Sequence, residues 1–137
     1  MRRKAETPDG SHARSIQSIN HVQLAFPAGA EAPIRRFYAS LLGLPEVRLQ
    51  AGNTLRFAAG TQRIDLVPTE HWQPAPAVSH LAFEVQDLPA LRHRLLQAEL
   101  ALVENRALPG YLRFYVKDPA GNQLEFLEPD HEPEINP

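Results

Sequence analysis

The feature that most constrains this chain is a pattern of strand-like segments that occurs twice. NHVQLAF and SHLAFEV alternate polar and apolar residues, as half-buried strands do, and each carries a histidine, His21 and His80. QRIDLV and NQLEFLE also alternate, and each carries an acid, Asp65 and Glu125. The two histidines are 59 residues apart and the two acids 60. An internal duplication would leave such a spacing.

A helix is predicted after the first strand of each half. In EAPIRRFYASLLGLP the apolar residues form one helical stripe, ended by Gly43 and Pro45. That stripe comprises Ile34, Phe37, Tyr38, Leu41 and Leu42. In LPALRHRLLQAEL, Asp87 is a suitable preceding N-cap, and Pro89 lies in the first turn, where proline is tolerated. Its predicted buried stripe comprises Leu88, Leu91, Leu95 and Ala98.

Three short strands are predicted after each helix. The first set covers 46–50, 54–59 and 62–67, and the second covers 101–105, 112–117 and 122–128. Between the last two, Asp118-Pro119-Ala120-Gly121 has the residue preferences of a type I turn. The expected fold class is α+β, with two tandem β-α-β-β-β modules forming a curved mixed sheet around a concave site.

The domain boundaries follow from where apolar residues become sparse. Segments 1–15 and 130–137 contain few large apolar residues and are expected to be disordered tails. A single domain is predicted over 16–129. Its parts are module one at 16–68, a linker at 69–77, and module two at 78–129.

Strand alternation predicts which side chains face a common site. In each strand the His or acid lies opposite the large apolar residues, so the four would share the face away from the core. By the same parity Arg113 and Tyr115 belong to that face, and Gln23 and Arg56 are weaker candidates for its lining. Two imidazoles and two carboxylates are a reasonable ligand set for a divalent metal. The alternative is that they are ordinary polar residues on solvent-facing strands, and Arg113 and Tyr115 a surface pair.

Composition excludes several classes of function. The chain has 137 residues, no cysteine and a formal net charge of −2. Disulfides and thiolate metal sites are therefore excluded, and nothing favours nucleic acid or an anionic membrane as a partner. No apolar run has the length of a signal peptide or a membrane span, so a cytoplasmic location is expected.

At this point the chain resembles a known family. Two β-α-β-β-β modules, His on the first strand of each, an acid on the last strand of each, and FYVKDPAGNQLEF near the end are similar to the vicinal oxygen chelate superfamily. That group includes glyoxalase I, extradiol dioxygenases, fosfomycin-modifying thiol transferases and bleomycin-resistance proteins. The resemblance extends from Ile16 to Pro129 and is nearest to small glyoxalase-like proteins.

The resemblance implies roles for these residues. It puts metal ligands at His21, His80 and Glu125, with Asp65 at the fourth position, where glyoxalase I has Glu or Gln. Because Asp is one methylene shorter, direct and water-bridged contact are both open. Without Asp65 the set is two His and one carboxylate, which suits Fe(II). The implied cofactor is one divalent ion of Fe, Mn, Ni or Zn.

The implied function is that of a metal-dependent enzyme. Its substrate would be a small molecule chelated through adjacent oxygens, in an isomerase or lyase, dioxygenase or thiol-transferase reaction. Glu125 or Asp65 would transfer a proton, while Arg113 would pair with an anionic group and Tyr115 would donate a hydrogen bond. The alternative is a non-catalytic binding protein of the bleomycin-resistance type. The family also implies a homodimer, often with ligands from both chains at one site.

Overall fold

The structure of the protein, a computed structural model, describes residues 15–48 and 52–130. Apart from Ser15 and Asp130, the predicted tails lie outside these residues. The helices are α1 (Glu31–Arg35), which continues as a π-helical stretch (Arg36–Leu41), and α2 (Leu88–Gln97). The strands are β1 (His21–Pro27), β2 (Leu55–Ala59), β3 (Gln62–Thr69), β4 (His80–Glu84), β5 (Tyr111–Lys117) and β6 (Gln123–Pro129). In the described part of the chain, no helix is both long and apolar enough to cross a membrane.

The six strands form two three-stranded sheets of the same design. The first sheet has the order β1-β3-β2 and the second β4-β6-β5. In each, the first strand runs parallel to the central strand, and the remaining strand runs antiparallel to it. Two mixed sheets and two helical segments confirm the α+β class.

The helix of the first half is shorter and less regular than predicted. Its α-helical part ends at Arg35, and the backbone N–H of Leu42 donates to the carbonyl of Phe37 at 2.9 Å, an i to i+5 bond. The widened turn still keeps Phe37 and Tyr38 in the core. Gly43 ends the segment as predicted, with a φ of +76° that favours glycine.

The second helix matches its predicted start. Asp87 is the N-cap, because its side chain accepts a hydrogen bond from the backbone N–H of Ala90 at 3.3 Å. Leu88, Leu91 and Leu95 are buried as expected. Ala98 was wrongly assigned to the buried stripe: the helix ends at Gln97, and Ala98 is exposed.

The first predicted strand after each helix was largely wrong. Glu46 forms an isolated bridge with Phe57, while 49–50 of the predicted strand lie outside the described residues. Val103 likewise forms only an isolated bridge, with Tyr115. Just after it, the Glu104 carboxylate accepts hydrogen bonds from Arg92 of α2 at 2.6 and 3.0 Å. The segment is therefore in contact with α2 where a longer strand was predicted.

One buried core contains residues of both sheets and both helices. The predicted turn before β6 joins it, and the backbone N–H of Gly121 donates to the carbonyl of Asp118 at 2.9 Å. The Asp118 side chain is buried and accepts a 2.6 Å hydrogen bond from the Tyr38 hydroxyl. The Asn122 side-chain amide donates to the carbonyl of Ala25 in β1 at 3.1 Å. This turn therefore links the two halves of the chain.

Candidate functional site

Strand register assigns the candidate residues to one face of each sheet. Gln23 of β1 and Arg56 of β2 both lie beside Asp65 of the central strand. Neighbouring residues in register project from the same face, and His21, two residues before Gln23, shares it. In the second sheet Ala82 of β4 and Tyr115 of β5 lie beside Glu125 in the same way. His80 and Arg113, each two residues away along its strand, complete that face.

In the second sheet, two of these side chains converge on the carboxylate of a third, Glu125. Nε2 of His80 lies 2.9 Å from Oε1 of Glu125, and Nη1 of Arg113 donates to Oε2 at 3.3 Å. The Glu125 side chain is only 8% exposed, whereas that of His80 is 36% exposed. A buried carboxylate requires such partners, because burial without them would be costly. The imidazole forms the solvent-facing side of this cluster.

Tyr115 forms an aromatic wall beside the cluster. Its ring meets that of His80 edge-on, with centroids 5.7 Å apart. Two guanidinium groups also lie over the ring, with their central carbons 5.2 Å (Arg106) and 5.3 Å (Arg113) from the centroid. The electron-rich ring faces attract cations and hold these side chains in place. We call His80, Arg106, Arg113, Tyr115 and Glu125 the β4–β6 cluster.

In the first sheet, Asp65 is held by two arginines. Nε and Nη2 of Arg63 donate to its two carboxylate oxygens at 2.6 and 3.1 Å. The pKa of the Arg63 guanidinium is raised, mainly by these hydrogen bonds. Nε of Arg56 is 3.8 Å from Oδ2, buried and without a hydrogen-bond partner. Asp65 is thus a buried carboxylate whose two oxygens already have cationic partners.

His21 and Gln23 remain outside both groups of contacts. His21 is exposed, and its Nδ1 lies 2.9 Å from Oδ1 of the adjacent Asn20. Gln23 is exposed beside Asp65. The structure therefore brings His80 and Glu125 together with Arg113 and Tyr115, and Asp65 together with Arg56. It does not bring the four predicted metal ligands to one point.

The donor types fit a divalent metal, but one chain in this arrangement does not supply a complete set. Imidazole nitrogen and carboxylate oxygen suit Mn, Fe, Ni and Zn. Over residues 15–48 and 52–130, however, no group of three or more His, Asp or Glu side chains is placed to hold an ion. His80 and Glu125 form a pair of donors, and His21 and Asp65 occupy the equivalent register positions in the other sheet.

Sequence reasoning missed two arginines of these clusters. Arg63 lies two residues before Asp65, so strand parity alone could have assigned it to the same face. Arg106 had no such signal, because it lies in a segment between Val103 and β5 that has no regular structure. Only the tertiary fold brings it to Tyr115.

Comparison with protein families identifies the chain. The model of the glyoxalase-like domain matches residues 23–127, which include both helices and most of both sheets. The chain belongs to the glyoxalase-like family. This glyoxalase-like protein thus has the relationship that its sequence motifs implied, within the vicinal oxygen chelate superfamily. Among curated proteins, none matches it.

Solved structures have the same fold. A glyoxalase family protein from Bacillus anthracis is 33% identical, with a TM-score of 0.79 over 84% of this chain and 97% of its own. A lactoylglutathione lyase from Agrobacterium tumefaciens is 22% identical, with a TM-score of 0.66 over 83% and 95%. TnmS3, an antibiotic binding protein from Streptomyces sp. CB03234, is 21% identical, with a TM-score of 0.65 over 85% and 98%. For the two structures at 22% and 21% identity, the likeness concerns the fold alone.

Proposed function

We propose that this glyoxalase-like protein is a divalent-metal-dependent enzyme that acts on a small substrate carrying oxygens on adjacent atoms. The observation that carries the proposal is the 2.9 Å approach of His80 Nε2 and Glu125 Oε1 on adjacent strands. His21 and Asp65 hold equivalent register positions in the other sheet. Two half-sites of this kind would together offer two imidazoles and two carboxylates to one ion.

Two copies of the chain are needed to join the half-sites. Within one chain, the apolar faces of both sheets contribute to one core, through Ile64 and Leu66 of one and Leu124 and Phe126 of the other. Among the described residues the two polar faces do not bring three or more candidate donors together, which supports a site shared between chains. A homodimer that sets the first sheet of one copy against the second sheet of the other would unite them. Metal binding would then depend on association.

The metal, when bound, would act as a Lewis acid on the substrate oxygens. His21, His80 and Glu125 would hold it, and Asp65 would be the fourth ligand, direct or through water. Glu125 is also suited to accept or donate a proton, since Arg113 holds its second oxygen at 3.3 Å and fixes its direction.

Other residues of the two faces would bind the substrate. Among the described residues the Tyr115 hydroxyl has no hydrogen-bond partner, so it is available to a substrate oxygen. Gln23 is exposed beside Asp65, and the partly exposed side chain of Arg56 lies beside the same carboxylate. These three would orient the substrate, and Asp65 would be a second candidate for proton transfer.

Metal analysis tests the proposal directly. Purified protein is incubated in turn with Mn, Fe(II), Ni and Zn, freed of unbound ions, and analysed for metal content. We expect about one ion per chain in wild type, most of it lost in His80→Ala. His93→Ala, at an exposed position of α2, is the matched control and should retain the ion. Equal content in wild type and His80→Ala would contradict the site.

A chain-mixing experiment tests whether the site is shared. His21→Ala and His80→Ala chains, each poor in metal alone, are unfolded, mixed and refolded together. A mixed dimer would retain one site with both histidines, so random pairing should restore about a quarter of wild-type metal content. A site within one chain would give no restoration.

The identity of the bound metal would indicate the reaction: iron for dioxygenase, nickel or zinc for isomerase or lyase, and manganese for thiol-transferase chemistry.

A second function, binding of a small molecule without metal, is favoured by a different observation. Both carboxylates already have cationic partners, since Arg63 pairs with Asp65 and Arg113 with Glu125. The charge of each carboxylate is therefore already offset by an arginine without an ion. The two functions differ in their response to chelator: ligand binding that survives thorough metal removal would favour the binding protein, and its loss would favour the enzyme.

A further inference from the structure

Arg106 is a positively charged residue at the edge of the β4–β6 cluster. It lies in the segment before β5 and is exposed, and its guanidinium carbon is 5.2 Å from the centroid of the Tyr115 ring. Among the described residues its guanidinium has no hydrogen-bond or ion-pair partner. The aromatic ring therefore supports a charged group whose N–H donors remain available.

Arg113, which was predicted to pair with an anionic group of the ligand, already has two hydrogen-bond partners within the protein. Its Nε donates to the backbone carbonyl of Arg106 at 2.9 Å, and its Nη1 donates to Glu125 at 3.3 Å. Two of its five N–H donors are used, and its side chain is only 16% exposed, which limits the access of a ligand anion to the others. Arg113 is therefore a positioning residue, which fixes both Glu125 and the backbone of Arg106.

Among the described residues, no carboxylate offsets the positive charge of Arg106. Glu125 is offset by Arg113, and the carboxylate nearest to Arg106 in sequence, Glu104, accepts both hydrogen bonds of the Arg92 fork at 2.6 and 3.0 Å. One positive charge is thus left beside the ring that also contacts His80. A planar guanidinium is suited to two parallel hydrogen bonds with a carboxylate or a phosphate.

We propose that Arg106 is a ligand-binding residue that selects molecules with an anionic group in addition to their adjacent oxygens. The proposal rests on the proposed function, because it takes His80 and Glu125 as the end of the site that binds the adjacent oxygens. The substrate class is then a small acid in which a carboxylate or phosphate lies a short distance from that oxygen pair. Tyr115 connects the two ends.

Three probes with the same hydroxy-acid end test this selection. Lactate ends in a methyl group, malate in a second carboxylate, and 3-phosphoglycerate in a phosphate. Their dissociation constants are measured by calorimetry at constant ionic strength on the metal-loaded protein. We expect wild type to bind at least one anion-ended probe about tenfold more tightly than lactate. Whether malate or 3-phosphoglycerate is preferred identifies the anionic group.

Two variants test whether Arg106 causes the preference for anion-ended probes. Arg106→Gln should bind all three probes with the affinity of lactate, while Arg94→Gln, which removes an exposed arginine of α2, should keep the wild-type preference. An unchanged preference in Arg106→Gln, or no discrimination by wild type, including no binding of any probe, overturns the proposal. Metal content is measured on the same samples. Normal metal without discrimination refutes only the role of Arg106, whereas Arg106-dependent discrimination in metal-free protein refutes only the metal site.

Discussion

The hydroxyl of Tyr38 donates a 2.6 Å hydrogen bond to Oδ2 of Asp118, a residue that lies 80 positions further along the chain. Both side chains are buried. The other Asp118 oxygen accepts from the backbone N–H groups of Ala120 and Asn122 at 2.8 and 2.9 Å. The same carboxylate therefore shapes the turn before β6 and fixes the first helical segment to it. Since β6 carries Glu125, this contact supports the position of the β4–β6 cluster.

Removal of that hydroxyl should destabilise the protein. Tyr38→Phe leaves the ring in place but removes a hydrogen bond to a buried carboxylate. We expect a loss of about 1.5–3 kcal/mol in the free energy of unfolding, measured by urea denaturation. Tyr111→Phe, at a position that is 39% exposed, is the matched control and should change stability little. Equal losses in the two variants would contradict this account.

Alkaline pH should weaken the same contact. Burial, and then the Asp118 charge and hydrogen bond, raise the pKa of Tyr38 well above its ordinary 10.0. The folded state thus holds this proton more tightly than the unfolded state. Its contribution to stability is complete below about pH 10 and declines as the pH rises from there through the folded pKa. Melting temperatures from pH 8 to 11 should fall more steeply in wild type than in Tyr38→Phe, and parallel profiles would refute the prediction.

Asp65 should contribute less to metal binding than Glu125. The Asp65 carboxylate is occupied by the Arg63 fork and lies near Arg56, so those contacts must change before it can bind an ion. Glu125 already has an oxygen 2.9 Å from the His80 imidazole. We expect Glu125→Gln to lower metal affinity by at least tenfold more than Asp65→Asn, measured by competition with a chelating dye. Equal losses of metal affinity in the two variants would indicate that Asp65 binds the metal as directly as Glu125.

The turn before β6 should require glycine at position 121. Gly121 has a φ of +83°, a conformation that L side chains rarely adopt, and an added Cβ would meet no atom within 4 Å. The cost of Gly121→Ala is therefore backbone strain, about 1 kcal/mol of unfolding free energy. Gly121→Asn is the matched control, since Asn tolerates this region better and should cost less. A larger loss with Asn would indicate a steric cause instead.

Much of the local structure was predictable because it depends on neighbours in sequence. The alternation around His80 and Glu125, the N-cap at Asp87 and the turn at Gly121 each express a short-range rule. Val103 shows where such rules fail. Its segment has strand-like residues, but in the structure only Val103 pairs with β5, through a single bridge to Tyr115. A residue's own pattern does not reveal whether a partner strand continues beside it.

The sequence by itself determined the α+β class, the family, and the shared strand faces of the four candidate ligands, because strand parity and motif spacing are properties of the chain. Only the tertiary structure decided which of these residues meet. Both apolar faces are buried in one core, so His80 and Glu125 converge while His21 and Asp65 remain apart from them. It also revealed the arginines beside each carboxylate, and it placed the Arg106 guanidinium over the Tyr115 ring with no carboxylate partner among the described residues. Contacts of this kind depend on how distant segments pack.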